Sequence, residues 1–226
     1  MDVPLSFKRS VTVDGYIGVG KSTLLRNLSN ITRSWLHPYQ ISFYEENVIS
    51  WENFYGCNLL EKMYENMASE DSPWTTRLQT KIIKDVMAQD LKIRSNLPHQ
   101  LSIQERDLNT IKKVFLPIHC KSINNLDYHI LHELVDLGIE LNSSTNSKLK
   151  VFLTADKMTC YERMKSRKRN AERMIGPHDF IQICDAMDIL KSEAAIVLDT
   201  DQLNSTQVSI RMNQLLLTAL RNDRAD

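Results

Sequence analysis

A chain of 226 residues suffices for one well-filled α/β core, and no Pro/Gly/Ser-rich linker divides it, so residues 1–226 read as a single domain with one mobile segment. Its 28 Lys and Arg balance 28 Asp and Glu, so net charge directs it neither to nucleic acid nor to a membrane surface. No apolar run approaches the roughly 20 residues that cross a bilayer. The N-terminus around Asp2, Lys8 and Arg9 reads as neither a signal nor a transit peptide, and Cys57, Cys120, Cys160 and Cys184 form no CxxC pair. Together these point to a reduced, cytosolic protein.

The pattern predicts a strand over 10–14 (S-V-T-V-D) and a helix over 23–28 whose Leu24, Leu25 and Leu28 form an apolar stripe. Between them, residues 15–22 (G-Y-I-G-V-G-K-S) fit G-x-x-x-x-G-K-[ST] without a mismatch. A second strand over 41–45 ends in Glu45-Glu46. Helices are expected over 51–67, carrying Leu59, Leu60, Met63 and Tyr64, and over 73–95, carrying Leu78, Ile82, Ile83, Val86 and Met87. A strand over 101–104 ends in Glu105-Arg106, helical patterns follow over 108–118 and 126–141, and 142–147 is polar loop. A strand over 149–154 leads to a densely basic helix over 158–169. A helix over 178–192, a strand over 195–199 and a helix over 207–221 complete the chain. Alternation of this kind argues for a five-stranded parallel sheet with helices on both faces.

The glycine-rich stretch carries the chemistry. Gly15, Gly18 and Gly20 let the backbone turn its N–H groups onto a polyphosphate, Lys21 brings a point charge to the β/γ-phosphates, and Ser22 offers its hydroxyl to Mg²⁺. The following helix aims its positive end at the same anion. Phosphoryl transfer to an alcohol further needs a base for the hydroxyl proton and cations for the spreading charge. Glu46, at the carboxyl end of a strand, is the candidate base, and Arg163, Lys165, Arg167, Lys168, Arg169 and Arg173 are a second cation source. His129 and His132 lack an HExxH context and read as ordinary histidines.

Five short runs fall in order: 46–51 (E-N-V-I-S-W), 56–60 (G-C-N-L-L) with Met63-Tyr64, 78–80 (L-Q-T), Glu105-Arg106, and 163–172 (R-M-K-S-R-K-R-N-A-E). Together they resemble the deoxynucleoside kinase family over nearly the whole chain. The resemblance implies a P-loop kinase fold with an Arg-rich lid at about 163–173, ATP as phosphate donor, Mg²⁺, a deoxynucleoside acceptor and a homodimer. The compact length and loose motif fit suggest a viral member acting in host cytoplasm. Donor-binding positions are then Gly15, Tyr16, Ile17, Gly18, Val19, Gly20, Lys21, Ser22 and Thr23, the lid residues Arg163 and Arg167, and Asp199 near the adenine loop. Glu46 matches the base for the 5′-hydroxyl, Arg106 the arginine on the 5′-oxygen and that carboxylate, and Glu105 the residue that holds Mg²⁺ beside Ser22. Lys21, Arg163, Arg167 and Arg169 would stabilise the transferred phosphate.

The same resemblance lines the nucleoside site with Trp51, Leu60, Met63 and Ile83, and gives the sugar 3′-hydroxyl to Tyr64 and Glu172. The Gln79 amide can make two bonds to thymine or, flipped, to cytosine. Deoxycytidine kinases carry charged residues where this chain has Val86 and Ile111, so the resemblance favours thymidine, with deoxyuridine and deoxycytidine accepted. Two positions depart from the family pattern: Asn47 stands where Pro is usual and Asp107 where Ser is usual. A thymidylate-type monophosphate kinase and a catalytically silent nucleotide-binding homologue are the alternatives. A GTP-dependent switch is disfavoured, since D-x-x-G and N-K-x-D are both absent.

Overall fold

The computed structural model describes residues 9–31, 40–95, 100–143 and 148–222. The N-terminal residues through 8 and positions 144–147 of the expected loop lie outside these. Five strands, β1 (Arg9–Gly15), β2 (Gln40–Tyr44), β3 (Gln100–Glu105), β4 (Lys148–Thr154) and β5 (Ile196–Asp199), form one sheet in the order β2-β3-β1-β4-β5. Every pairing is parallel. With β1 at the centre, the chain lays β2 and β3 on one side of it and then crosses to lay β4 and β5 on the other, so the carboxyl end of β1 is where an open α/β sheet leaves a crevice.

Parallel strands buried on both faces read as continuous β-branched and aromatic runs, and β1 and β4 do so: Val11, Val13, Val151, Phe152 and Leu153 are all buried. Helix α1 (Lys21–Ile31) packs Leu24, Leu25 and Leu28 onto them. Helices α8 (Lys157–Ser166), α9 (Pro177–Glu193) and α10 (Ser205–Asn222) add Met164, Phe180, Met187, Met212 and Leu216 to the same core. A second cluster joins α4 (Pro73–Arg94) to α7 (Asn125–Ser143) through Ile83, Leu131 and Val135. Among the described residues no helix is long and apolar enough to cross a membrane.

Three expected helices are broken or cut short. The one over 51–67 is two short helices, α2 (Val48–Glu52) and α3 (Leu59–Glu65), because Tyr55 and Gly56 take positive φ of 50° and 79° in an intervening turn. The stretch over 108–118 is a chain of short pieces: α5 (Leu108–Thr110), a wide π-type turn (Ile111–Phe115) and α6 (Leu116–His119). The basic helix stops at Ser166, three residues short of expectation, with Arg167 as its cap and Lys168 at φ 56°. At the other end of the expected loop, 142 and 143 continue α7.

Candidate active site

Two cavities meet at the carboxyl ends of β1 and β3, an inner one of about 230 Å³ and an outer one of about 590 Å³. Lys21, Ser22, Glu105, Arg167 and Arg169 line both. The phosphate loop forms the junction. At Gly15 a side chain would place Cβ 2.4 Å from the Leu153 carbonyl oxygen, and at Gly18 2.1 Å from that of Cys160, so the loop lies against β4 and α8 with no room for a methyl. Lys21 Nζ donates to the Gly15 and Tyr16 carbonyls at 3.0 Å each and sits 3.7 Å from Glu105 Oε1. Burial, with the Arg106 charge, lowers this ammonium to about 8.

Ser22 Oγ donates to Glu105 Oε2 at 2.9 Å, and burial with the neighbouring Glu46 pushes the Glu105 carboxyl up. A hydroxyl and a carboxylate so placed are hard oxygen donors suited to Mg²⁺, too few for a protein-only cage but enough for a metal carried on phosphates.

The inner cavity begins at a 2.6 Å ion pair between Arg106 Nη1 and Glu46 Oε1. Arg106 holds φ at 60°, a left-handed conformation a side chain adopts at a cost, and its guanidinium lies 5.0 Å from the centre of the Phe115 ring. Burial alone would lower the Arg106 pKa, but the carboxylates of Glu46 and Glu105 outweigh it and raise it. Asp14, immediately before the loop, accepts from Thr110 Oγ1 at 2.7 Å, and burial beside the Asp107 carboxylate pushes it well up.

Tyr64 and Glu172 face one another on the next wall. Burial and the Glu172 carboxylate raise the Tyr64 phenol. Glu172 Oε1 accepts from Arg169 Nη1 at 3.2 Å, while Oε2 is buried, receives no hydrogen bond and lies 3.9 Å from Arg167 Nε.

The far wall is two antiparallel tracks. From α4 come Gln79, Ile82, Val86 and Gln89, spaced as one helix face; from the chain after β3 come Asp107, Ile111, Phe115 and His119, four apart. Ser122 Oγ donates to Thr75 Oγ1 at 3.1 Å near one end, and Lys148 sits 3.6 Å from Asp90 and 3.8 Å from Asp107 at the other. Gln79 and His119 therefore share an end. Gln79 is 2% exposed and its Oε1 has no partner; burial pushes His119 down to about 4. A buried amide oxygen left unpaired costs roughly 1–3 kcal/mol, a cost that a donor on a bound molecule removes.

A family model described as Deoxynucleoside kinase matches residues 11–207. The chain belongs to the deoxynucleoside kinase family. It is also similar to proteins described as "Thymidine kinase 2, mitochondrial". The one from Macaca fascicularis is 30% identical over 179 residues, 77% of this chain and 61% of that protein. The one from Homo sapiens is 29% identical over 177 residues, with the same two shares. The chain thus spans about 61% of the length of these curated relatives.

Most residues drawn from the family pattern converge. Glu46, Trp51, Leu60, Met63, Tyr64, Gln79, Val86, Arg106, Ile111 and Glu172 all line the inner cavity, and Arg163, Arg167 and Arg169 line the outer one with residues 18–23. Ile17 lines the inner cavity, whereas Gly15 and Tyr16 reach the site through their carbonyls on Lys21. The Tyr16 side chain turns into the protein, donating to Asp188 on α9.

Two further expected positions line neither cavity. Ile83 faces the core between α4 and α7, because one helical step of 100° carries the cavity face to Ile82 instead. Asp199 ends β5 beside a separate shallow groove, where its carboxylate accepts from Asp201 N at 2.9 Å; Thr200, Leu203 and Asn204 line the outer cavity in its place. Asp107 also finds its reason, accepting from the backbone N–H of Asn109 at 2.9 Å and Thr110 at 3.3 Å as the cap of α5. Sequence reading missed Ile82, Gln89, Phe115 and His119. Their signal was available as helical spacing from Gln79 and Ile111.

Proposed function

We propose that the chain transfers the γ-phosphate of ATP to the 5′-hydroxyl of a deoxynucleoside, thymidine best among them. The observation that carries this reading is the unpaired Gln79 amide oxygen in a cavity whose opposite end is the Glu46–Arg106 pair, itself beside the phosphate loop. A pyrimidine edge on Gln79 directs the sugar toward Tyr64 and Glu172 and the 5′-hydroxyl toward Glu46. Val86 and Ile111 are a neutral wall for the thymine methyl, whose burial is worth about 0.8 kcal/mol.

Glu46 accepts the hydroxyl proton, and the ion pair with Arg106 keeps that carboxylate oriented. Lys21 and the arginines at 163, 167 and 169 stabilise the charge that spreads over the transferred phosphoryl group. Mg²⁺, held through Ser22 and Glu105, supplies further neutralisation of the donor phosphates when bound. Arg167 and Arg169, now beside Glu172, belong to a lid of about 163–173 that closes on the donor within a single kinase domain. Against the silent-homologue reading stand Asp107, which serves as a cap, and Glu46, Lys21, Ser22 and Glu105, which all line the inner cavity.

We further propose a homodimer. Leu126, Ile130, Leu134, Leu137 and Leu141 run down one face of α7 and are all exposed, with Leu91 of the adjoining α4. An apolar face with this spacing is best covered by its own copy. The free thiols of Cys57, Cys160 and Cys184 fit a reducing cytosol.

The deciding assay measures ATP consumption against the four deoxynucleosides, thymidine monophosphate and a 2′,3′-dideoxynucleoside. Thymidine is expected to give the highest kcat/KM and the dideoxy compound to be poor. Preference for a purine overturns the base assignment, and preference for the monophosphate overturns the acceptor.

A further inference from the structure

Asp85 stands on α4 one residue before Val86, and its side chain is 9% exposed. Four donors converge on it. Trp51 Nε1 donates to Oδ2 at 2.9 Å and Ser50 Oγ to the same oxygen at 3.3 Å; the Lys81 ammonium pairs with Oδ2 as well, and Lys84 Nζ donates to Oδ1 at 3.3 Å. Lys81 also donates to Ser50 Oγ at 3.0 Å and lies 5.5 Å from the centre of the Phe54 ring. Burial alone would raise the Asp85 pKa, but the hydrogen bonds from Lys81 and Trp51 outweigh it, and the carboxylate is held below the usual range. Asp85 itself lines the inner cavity, but its acceptor capacity is largely spent on protein donors, so it affects a ligand through what it holds.

What it holds is a segment with little hold of its own. Helix α2 has five residues, too few for a helix to persist unaided, and its cap residue Asn47 makes no side-chain cap bond. The next turn passes through two left-handed residues, Tyr55 and Gly56. Trp51 on this helix is 5% exposed and forms part of the inner cavity wall. An indole N–H is a donor only, and without Asp85 it would be buried unpaired.

Resting on the nucleoside kinase reading above, we infer that Asp85 is a positioning residue for the nucleoside: it fixes the Trp51 indole and clamps α2 against α4, so that the cavity wall is formed before the ligand arrives. Preorganisation of this kind lowers KM for the molecule that the wall touches and leaves the donor side alone.

One measurement needs no turnover. Of the three tryptophans, Trp35 and Trp74 are replaced by Phe, leaving Trp51 as the single emitter. Asp85→Leu is expected to shift its emission and raise its quenching by acrylamide, and Asp85→Asn, which keeps an acceptor oxygen, to leave both near the parent values. In the full chain, Asp85→Leu should raise KM for thymidine about tenfold, with kcat and KM for ATP within about twofold, while Asp85→Asn stays within about threefold throughout. Adding Asp85→Leu to Trp51→Phe, which has no N–H to hold, should raise KM by much less than tenfold, since only the Ser50 side of the clamp is left to lose. Should Asp85→Leu not fold, Lys81→Met with Asp85→Leu removes the ion pair as a unit and repeats the comparison. An unmoved Trp51 emission, equal effects on both substrates, or an Asn variant as impaired as the Leu variant overturns the assignment. Absence of any deoxynucleoside phosphorylation by the unmodified chain defeats the kinase reading instead, and the emission measurement still decides the tether.

Discussion

Glu46 has one strong partner, Arg106 Nη1 at 2.6 Å, and that pairing decides how its removal would be felt. Glu46→Gln keeps the shape and one acceptor oxygen, so nucleoside binding should survive while turnover falls about a hundredfold, the scale of a positioned base. Calorimetry of thymidine binding beside steady-state kcat separates the two, and undiminished kcat removes Glu46 from the role. Lys21 adds a pH dependence. Burial and Arg106 hold its free-state pKa near 8, so the ammonium is charged below that and neutral above. Since kcat/KM reports the free enzyme, kcat/KM for ATP should fall as pH rises through about 8 and be level on that limb below it. A profile level to pH 10 would overturn the lowered pKa of the Lys21 ammonium in the free enzyme. At this scale the sequence was most legible where chemistry demands particular types at fixed spacing, as in the loop and Glu105-Arg106. It was least legible where a side chain's direction depends on helix phase, as with Ile82 against Ile83.

Among the elements, the phosphate loop is the one whose sequence and geometry agree most closely, because glycine leaves a signature that few other constraints produce. Its glycines are nevertheless not equivalent. Gly18 combines φ +88° with a would-be Cβ 2.1 Å from the Cys160 carbonyl, whereas Gly20 has φ +106° and nothing within 4 Å. Gly20→Ala should therefore cost only the conformational penalty of about 1–2 kcal/mol. Gly18→Ala adds an overpacking cost of about 1–3 kcal/mol, and must displace α8, which carries Arg163. Denaturant midpoints should place Gly18→Ala clearly below Gly20→Ala, with weaker ATP binding, and equal midpoints would show that the α8 contact is slack. The pieces around the inner cavity were harder to read. Apolar spacing over 51–67 and 108–118 carries on through Gly56 and through the wide turn at Ile111–Phe115, so periodicity alone gave continuous helices where the chain has breaks. Those breaks position Trp51 and Phe115.

For the whole molecule, β-α alternation was enough to give a parallel five-stranded sheet, but strand order is set by non-local packing and left no local mark in the residues. The exposed apolar face of α7 is the reverse case, a pattern fully visible in sequence whose meaning needs the fold. Leu126, Ile130, Leu134, Leu137 and Leu141 follow a helical spacing that, read alone, looks like a core stripe. In the structure the core stripe is the neighbouring one, Leu131 and Val135, and the five stay exposed, Leu126 at 71%. A protein that leaves so continuous an apolar face in water is expected to cover it, and a two-fold pairing of α4 and α7 with their copies does so without a second partner. Light scattering should then give a dimer mass at micromolar concentration. Leu134→Glu with Leu137→Glu places four like charges in a two-fold interface and should give a monomer, with the inner cavity and its thymidine KM little changed because neither residue lines it. A monomeric parent chain, or a double variant that remains dimeric, would leave this face to some other use.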